Sequence, residues 1–225
     1  MGKIKSHIKN VYTNREGENF IPEREDWTAI VFGRIIAIPI VRGLVKLPIK
    51  INPNFLTFLT TPFALIATYF FFNNLLLYGA IFYLISYIFD CLDGMYARLT
   101  NTSSEYGAKL DNYVDRINHL FMYFGLWHSQ YYLNDQWLLG GAIIFIHYSA
   151  MLFGRIFIKN QTYKTVIPRV YSYYSTIDEG NFTFFVAPLL GIFRIMLPIL
   201  VGLQIISFSI LFLIQKEKSD FKTRF

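Results

Sequence analysis

The chain has 225 residues, of which 54% are hydrophobic and 19% aromatic, and its mean hydropathy is +0.36. This composition is too apolar for an ordinary soluble domain, and the length is sufficient for about six membrane crossings. The net charge of +6 does not indicate nucleic-acid binding, because the basic residues flank hydrophobic segments, where they suit anionic lipid headgroups. We therefore expect an integral membrane protein.

The chain begins with a polar segment and continues with an amphipathic one. Residues 1–26 lack the apolar core of a signal peptide, so we expect them to be cytosolic. Residues 27–50 are apolar apart from four basic residues that share one sector of a helical wheel: Arg34, Arg42, Lys46 and Lys50. This pattern predicts an amphipathic helix lying in the membrane interface. A spanning helix whose charged side chains reach the interface is the alternative.

Hydrophobic segments of spanning length follow within residues 51–215. The predicted crossings cover residues 55–75, 76–98, 107–131, 136–158 and the two halves of 182–214. At about 1.5 Å per residue the last stretch is too long for one hydrocarbon core of about 30 Å, so we expect a hairpin turning near residues 191–194. A turn at Asn73-Asn74 and a long polar connection up to Asn181 separate other segments. The sequence thus predicts an all-α fold with six transmembrane helices, preceded by the interfacial helix and followed by a basic cytosolic tail at residues 216–225.

Basic residues in the connections predict the orientation of this domain. The loops after the first and third crossings contain no Lys or Arg, and the loop after the fifth contains only Arg194. The other side carries the basic N-terminal region, the basic residues of the second and fourth loops, and the tail. Because cytoplasmic loops are enriched in Lys and Arg, we expect both termini to be cytosolic.

Four aspartates interrupt the apolar sequence at the second and third crossings: Asp90, Asp93, Asp111 and Asp115. A carboxylate at membrane depth costs roughly 3 kcal/mol or more, so four of them imply a compensating partner. Spacings of three and four residues place each pair on one face of its helix, and a short loop joins the two helices. Such a cluster of hard oxygen ligands suits two ions of Mg²⁺, Mn²⁺ or Ca²⁺. The alternative is a set of structural ion pairs with Arg98, Lys109 and Arg116.

The complete run reads Asp90-x2-Asp93-Gly94-x2-Ala97-Arg98-x8-Gly107-x3-Asp111-x3-Asp115. At every defined position it resembles the signature of the CDP-alcohol phosphotransferase (CDP-alcohol phosphatidyltransferase) family. Members of that family transfer a substituted phosphate from a CDP-linked donor to an alcohol and release CMP. The six-helix topology is also similar, so the resemblance extends over residues 27–215, although only the motif is specific. It implies a membrane-embedded transferase of phospholipid biosynthesis that uses two divalent cations, Mg²⁺ or Mn²⁺, and forms a homodimer.

The resemblance also implies a role for each motif residue. Asp90, Asp93 and Asp111 would be metal ligands, and Asp115 would be both a ligand and the general base that takes the acceptor proton. The nucleotide contacts would be made by Gly94, Ala97, Arg98 and Gly107. Pro53-Asn54-x2-Thr57 is similar to the segment that opens the family's first helix, so Asn54 and Thr57 would lie near the donor phosphates. Such a tetrad is equally an ordinary helix start.

The acceptor is the part that the sequence determines least. Arg116 and Arg155 are candidates for holding an acceptor phosphate or carboxylate, and anchoring to lipid headgroups explains them equally well. Asp178 and Glu179 are candidates for contacting an amino or polyol group, while Asn181 beside them is equally a helix cap. His119, one turn beyond Asp115, is interpreted as a packed structural residue.

Three functions remain open at this point. The favoured one is transfer of a phosphatidyl group from CDP-diacylglycerol to a small hydroxyl acceptor. The first alternative is a choline or ethanolamine phosphotransferase that uses CDP-choline or CDP-ethanolamine and a lipid acceptor. A divalent-cation carrier is the non-enzymatic alternative, and it predicts cation flux without release of CMP.

Overall fold

The computed structural model describes residues 28, 33, 35–48, 50–159 and 176–222. Of the side chains in these ranges, those of 153–159, 176–178, 207–208 and 210–222 lie outside the description. The described residues are helical nearly throughout and contain no strand, which confirms the all-α fold. The predicted cytosolic segment 1–26 and most of the polar connection before Asn181 lie outside the described residues.

Seven helices follow one another along the described ranges: α1 (Ile35–Leu44), α2 (Pro53–Phe72), α3 (Leu76–Leu99), α4 (Glu105–Gln130), α5 (Trp137–Lys159), α6 (176–189) and α7 (Phe193–Lys222). Helix α6 is composite. It is α-helical over Thr176–Asn181, forms a π-helical turn over Phe182–Val186 and ends with Ala187–Leu189.

The connections between helices are made by the residue types that tolerate a left-handed backbone. Asn74 follows α2 with φ 59°, and Gly191 separates α6 from α7 with φ 67°. These positions confirm the predicted turns at residues 73–74 and near 191. At the start of α4, the Ser104 hydroxyl accepts a hydrogen bond of 3.0 Å from the Gly107 amide, as expected of an N-cap.

Two helix boundaries differ from the sequence-based expectation. Helix α6 begins at Thr176, inside the predicted polar connection, and α7 continues to Lys222, inside the predicted tail. The stretch Thr176–Asn181 is polar, but Glu179 is buried and Asn181 is fully enclosed. Both side chains bond to other helices, so tertiary contacts outweigh the weak helix propensity of this stretch.

Only some of the described helices have the composition of a membrane span. Helices α2 and α3 are long and apolar enough to cross a bilayer, whereas the apolar parts of α5 and α7 are shorter, covering Trp137–Leu152 and Phe193–Ile206. Helix α4 carries the charged residues of the aspartate motif in its first half, which lowers its hydropathy.

Two apolar clusters hold the helices together. The larger one joins α2, α3, α4, α6 and α7, and at its centre the Tyr123 and Phe184 rings meet edge to face with centroids 4.6 Å apart. The smaller cluster packs α1 on α3. Ile38 and Val41 of α1 are fully buried there against residues that include Leu92. The predicted amphipathic helix therefore presents an apolar face to α3.

Helices α2 and α4 are in close contact at Gly125. A Cβ atom added there would lie 2.6 Å from the Thr68 carbonyl oxygen and 3.1 Å from the Phe71 Cβ. The first distance is too short for two non-bonded atoms, and a backbone oxygen cannot swing aside as a flexible side chain can. The absence of a side chain at residue 125 is therefore a condition for this packing.

We predict that Gly125→Ala destabilises the protein by about 1–3 kcal/mol, because α2 and α4 must separate to admit the methyl group. Thermal unfolding of the purified protein in detergent measures the effect. Gly202→Ala in α7 is the matched control, since an added Cβ there meets no atom of the described residues within 4 Å. Equal melting temperatures for the two variants would contradict the close approach.

Candidate active site

Three of the four motif aspartates converge between α3 and α4. Each of Asp90, Asp111 and Asp115 offers one carboxylate oxygen, and these three oxygens lie within 4.8 Å of one another. The side chains are partly buried. Helical spacing accounts for the convergence, because Asp111 and Asp115 are one turn apart on α4 and the five-residue loop 100–104 turns α4 back toward Asp90.

The fourth aspartate is held by α2. The Thr57 hydroxyl donates a hydrogen bond of 2.5 Å to Asp93 Oδ2, and both residues are buried. A hydroxyl that bonds a carboxylate makes a short, strong hydrogen bond. Through this contact α2 fixes the rotamer of an aspartate that lies on the same helix as Asp90.

The start of α2 also meets the start of α4. A Cβ added at Gly107 would lie 3.2 Å from Asn54 Oδ1 and 3.1 Å from Ser104 Oγ. Asn52 caps α2 by accepting a 3.0 Å hydrogen bond from the Asn54 amide. The structure thus brings Asn54, Thr57 and Gly107 to the same end of the helices as the aspartates.

The remaining motif residues line the last turn of α3. A Cβ added at Gly94 would lie 3.4 Å from a guanidinium nitrogen of Arg98, so the glycine leaves room for the Arg98 side chain to fold back along its helix. Ala97, next to Arg98, is partly buried. Lys109 pairs with Glu105 at 2.7 Å on the exposed side of α4, so it has an acidic partner other than the motif aspartates.

This donor set fits a divalent cation. Two unit charges 4.8 Å apart repel each other by about 3.5 kcal/mol at an effective dielectric constant of about 20. A cation between them offsets this repulsion. Oxygens that bind one Mg²⁺ or Ca²⁺ at about 2.0–2.6 Å are at most about 5 Å apart, which the 4.8 Å grouping satisfies.

A polar network that the sequence analysis missed lies next to the aspartates. Thr60 Oγ1 accepts a 3.0 Å hydrogen bond from Asn118 Nδ2, and the Thr60 carbonyl accepts a 2.9 Å bond from the Ser86 hydroxyl. All three residues are buried, and they tie α2 to both α3 and α4. Polar residues inside predicted spanning segments were the available signal.

The candidate acceptor residues are placed unequally. Arg116 is partly buried beside Asp115, and its carbonyl accepts a hydrogen bond of 3.2 Å from the Tyr148 hydroxyl. The side chains of Arg155 and Asp178 lie outside the described part. Glu179 is only 7% exposed and accepts a 2.6 Å hydrogen bond from Gln204 Nε2. The His119 ring stacks on Phe184 with centroids 5.1 Å apart, as expected of a packed residue.

We predict that Thr57→Val destabilises the protein by about 1–3 kcal/mol, because a buried carboxylate loses a hydrogen-bond donor while the side-chain volume is kept. Thermal unfolding measures the change, and Thr57→Ser is the control because it retains the hydroxyl. If valine and serine at residue 57 gave the same stability, the hydroxyl contact to Asp93 would be unimportant.

Comparison with protein families identifies one that the chain matches over most of its length. The family model for CDP-alcohol phosphatidyltransferases matches residues 50–217, which is most of the chain and includes α2 to α5, α6 and the greater part of α7. No curated protein matches the chain. The family transfers phosphatidyl groups from a CDP-alcohol in phospholipid synthesis and is embedded in membranes. Together with the complete aspartate motif, this match shows that the chain belongs to the CDP-alcohol phosphatidyltransferase family.

Proposed function

We propose that this protein transfers a phosphatidyl group from CDP-diacylglycerol to a small hydroxyl acceptor and releases CMP. The observation that carries the proposal is the convergence of the Asp90, Asp111 and Asp115 oxygens within 4.8 Å at the motif of the family. The short chain and its few helices favour this donor over CDP-choline or CDP-ethanolamine with a lipid acceptor.

All four aspartates are proposed metal ligands, and one of them is also the proposed base. Asp90, Asp93 and Asp111 would hold two divalent cations, Mg²⁺ or Mn²⁺, together with Asp115. Bound there, the cations would supply neutralising charge for the diphosphate and for the departing CMP. Thr57 keeps the Asp93 carboxylate oriented by the hydrogen bond described above.

Asp115 also acts as the general base. Its carboxylate takes the proton of the acceptor hydroxyl while the acceptor oxygen bonds to the lipid-side phosphorus of the donor. The bond between that phosphorus and the bridging oxygen breaks at the same time, and CMP leaves with its electron pair. The proton stays on Asp115 until solvent removes it.

The donor lies against the small residues of the motif. Gly94, Ala97 and Gly107 contact the cytidine nucleotide, and the fixed charge of Arg98 attracts phosphate oxygens. Asn54 and Thr57 face the donor phosphates at the start of α2. A Cβ added at Gly107 would lie 3.2 Å from Asn54 Oδ1, so Asn54 is next to a proposed nucleotide contact, which supports this assignment. Arg116 and Arg155 are the proposed contacts for an anionic group on the acceptor.

The same proposal includes the arrangement in the membrane. Residues 51–215 form a six-crossing catalytic domain, preceded by the cytosolic segment 1–26 and the interfacial helix of residues 27–50 and followed by the cytosolic tail of residues 216–225. The aspartates and both termini face the cytosol, and two copies form a homodimer. The one-sided distribution of Lys and Arg supports this orientation.

An assay of the purified protein tests the function directly. We expect radiolabelled CMP release from CDP-diacylglycerol with Mg²⁺ or Mn²⁺ and one acceptor from a panel of glycerol 3-phosphate, L-serine and inositol 1-phosphate. CMP release only from CDP-choline or CDP-ethanolamine with diacylglycerol would show that the donor is one of these and not CDP-diacylglycerol. Cation flux in vesicles without CMP release from any donor would overturn the enzymatic proposal.

The variant Asp115→Asn distinguishes the role of Asp115 as general base from its role as metal ligand. We predict that this variant loses transfer by at least about 10²-fold, the usual contribution of a general base, yet retains part of its Mn²⁺ binding through the other three aspartates. Electron paramagnetic resonance of free Mn²⁺ measures the binding, and Asp135→Asn in the exposed turn before α5 is the matched control. Turnover near the wild-type rate would remove Asp115 from the role of base.

A further inference from the structure

Helix α6 is anchored by a chain of buried polar side chains that the proposed reaction does not use. Glu179 Oε2 accepts a 2.6 Å hydrogen bond from Gln204 Nε2, and Gln204 Oε1 lies 3.0 Å from His147 Nδ1. On its other side His147 Nε2 lies 3.1 Å from Thr183 Oγ1. These four residues, called here the α6 network, connect α5, α6 and α7, and none is more than 7% exposed.

The chemistry of the groups fixes the direction of the hydrogen bonds. A carboxylate only accepts, so the Gln204 amide nitrogen faces Glu179 and its oxygen faces His147. The imidazole must then donate from Nδ1, and in the neutral tautomer Nε2 accepts from the Thr183 hydroxyl. Each polar atom at these contacts therefore has a complementary partner, as a buried network requires. At its contact with Gln204, Glu179 only accepts, and this fixes the orientation of the Gln204 amide and through it that of His147.

The network lies next to the aspartate site. Tyr83 precedes Asp90 by two helical turns on α3, and its hydroxyl donates a 3.0 Å hydrogen bond to Asn181 Oδ1 on α6. A Cβ added at Gly180 would lie 3.7 Å from the Tyr83 hydroxyl and 3.8 Å from Nε2 of His119, one turn beyond Asp115. These spacings place α6 against the helix faces that carry Asp90 and Asp115.

The π-helical turn makes this placement possible. Thr183 and Phe184 are consecutive and both fully buried, Thr183 against His147 of α5 and Phe184 against Tyr83 and His119. Single π-turns inside helices commonly occur at functional sites, where they redirect side chains. Here the turn over Phe182–Val186 coincides with the residues that touch α3, α4 and α5 at once.

We propose that the α6 network is a positioning device that holds α6 against α3 and α4 and so shapes the acceptor side of the aspartate site. This inference rests on the proposed transfer function. About 6 Å of helix separates Asp115 from His119, so a small alcohol whose hydroxyl meets Asp115 extends toward the wall formed by His119, Tyr83 and Gly180. Displacement of α6 changes the fit of the acceptor and leaves the nucleotide side, at Gly94 and Gly107, in place.

The rival role for Glu179 is direct contact with an amino or polyol group of the acceptor. The two roles make opposite demands on the side chain. A positioning Glu179 tolerates replacement by glutamine, because an amide oxygen can still accept from Gln204. A carboxylate that binds an amino group of the acceptor does not tolerate the replacement, because its charge is what binds.

A charge-swap experiment uses this difference. Gln204→Glu places a second carboxylate against Glu179, where a 2.6 Å hydrogen bond now stands. We expect the KM for the acceptor found in the panel assay to rise about tenfold, with the KM for CDP-diacylglycerol unchanged. Adding Glu179→Gln to this variant restores one donor and one acceptor at the contact, so the double variant should return to within about twofold of wild type. Glu179→Gln alone keeps an acceptor for the Gln204 amide, so its acceptor KM should stay well below that of Gln204→Glu.

Gln130→Glu is the matched control, because Gln130 is also a buried glutamine and bonds Asn74 at 2.7 Å near the far end of α4. It adds a carboxylate away from α6 and should leave both KM values unchanged. If Gln204→Glu cannot be purified folded, Thr183→Val removes only the hydroxyl at the other end of the network. It should raise the acceptor KM about threefold, whereas Thr183→Ser should not.

The outcomes separate the two proposals. A wild-type protein that releases no CMP with any donor and acceptor overturns the proposed function and this inference with it. An active wild type whose double variant keeps the high acceptor KM of Gln204→Glu overturns the inference alone. Loss of acceptor affinity in Glu179→Gln by itself would assign Glu179 to direct acceptor binding. A lower Vmax with both KM values unchanged would show that the network serves stability only, and equal increases in both KM values would contradict a role confined to the acceptor side.

Discussion

The structure depends on the close approach of carboxylates inside an apolar helix bundle. Asp90, Asp111 and Asp115 lie near enough for mutual repulsion to oppose the packing of α3 on α4. The surrounding contacts resist that repulsion. Thr57 fixes Asp93, Asn118 joins α4 to Thr60 of α2, and Ser86 joins α3 to the same residue. Helix α2 thus holds the two acidic helices together. The negative charge of the three aspartates suits a divalent cation.

Much of this was accessible from the sequence, because helical periodicity is local. The spacing of Asp90 and Asp93, and of Asp111 and Asp115, was enough to predict two acidic faces, and asparagine and glycine marked the turns at residues 74 and 191. Contacts between distant residues were not accessible. Nothing in the sequence joins Thr57 to Asp93, or Glu179 to Gln204, because these pairs depend on how whole helices pack.

Helix α6 shows how tertiary contacts decide a local structure. Its first six residues look like a loop, and its polar side chains would be costly in a membrane without partners. Packing provides those partners. Asn181 bonds Tyr83 on one side and Thr28 on the other, so Thr28, which precedes α1 in the chain, also helps to enclose α6. Glu179 and Asn181, two of the polar residues that made the stretch look like a loop, hold it in place as a helix.

The contact at Gly125 also determines where a lipid can lie. Ten residues, or about 15 Å of helix, separate Asp115 from Gly125 on the same helix. At that depth the backbone of α2 touches α4, and no hydrocarbon chain can pass between them. A lipid whose headgroup reaches the aspartates must therefore keep its acyl chains on the outer surface of the bundle or enter beside another helix. The contact between α2 and α4 at Gly125 thus restricts the direction from which any lipid would approach the aspartates.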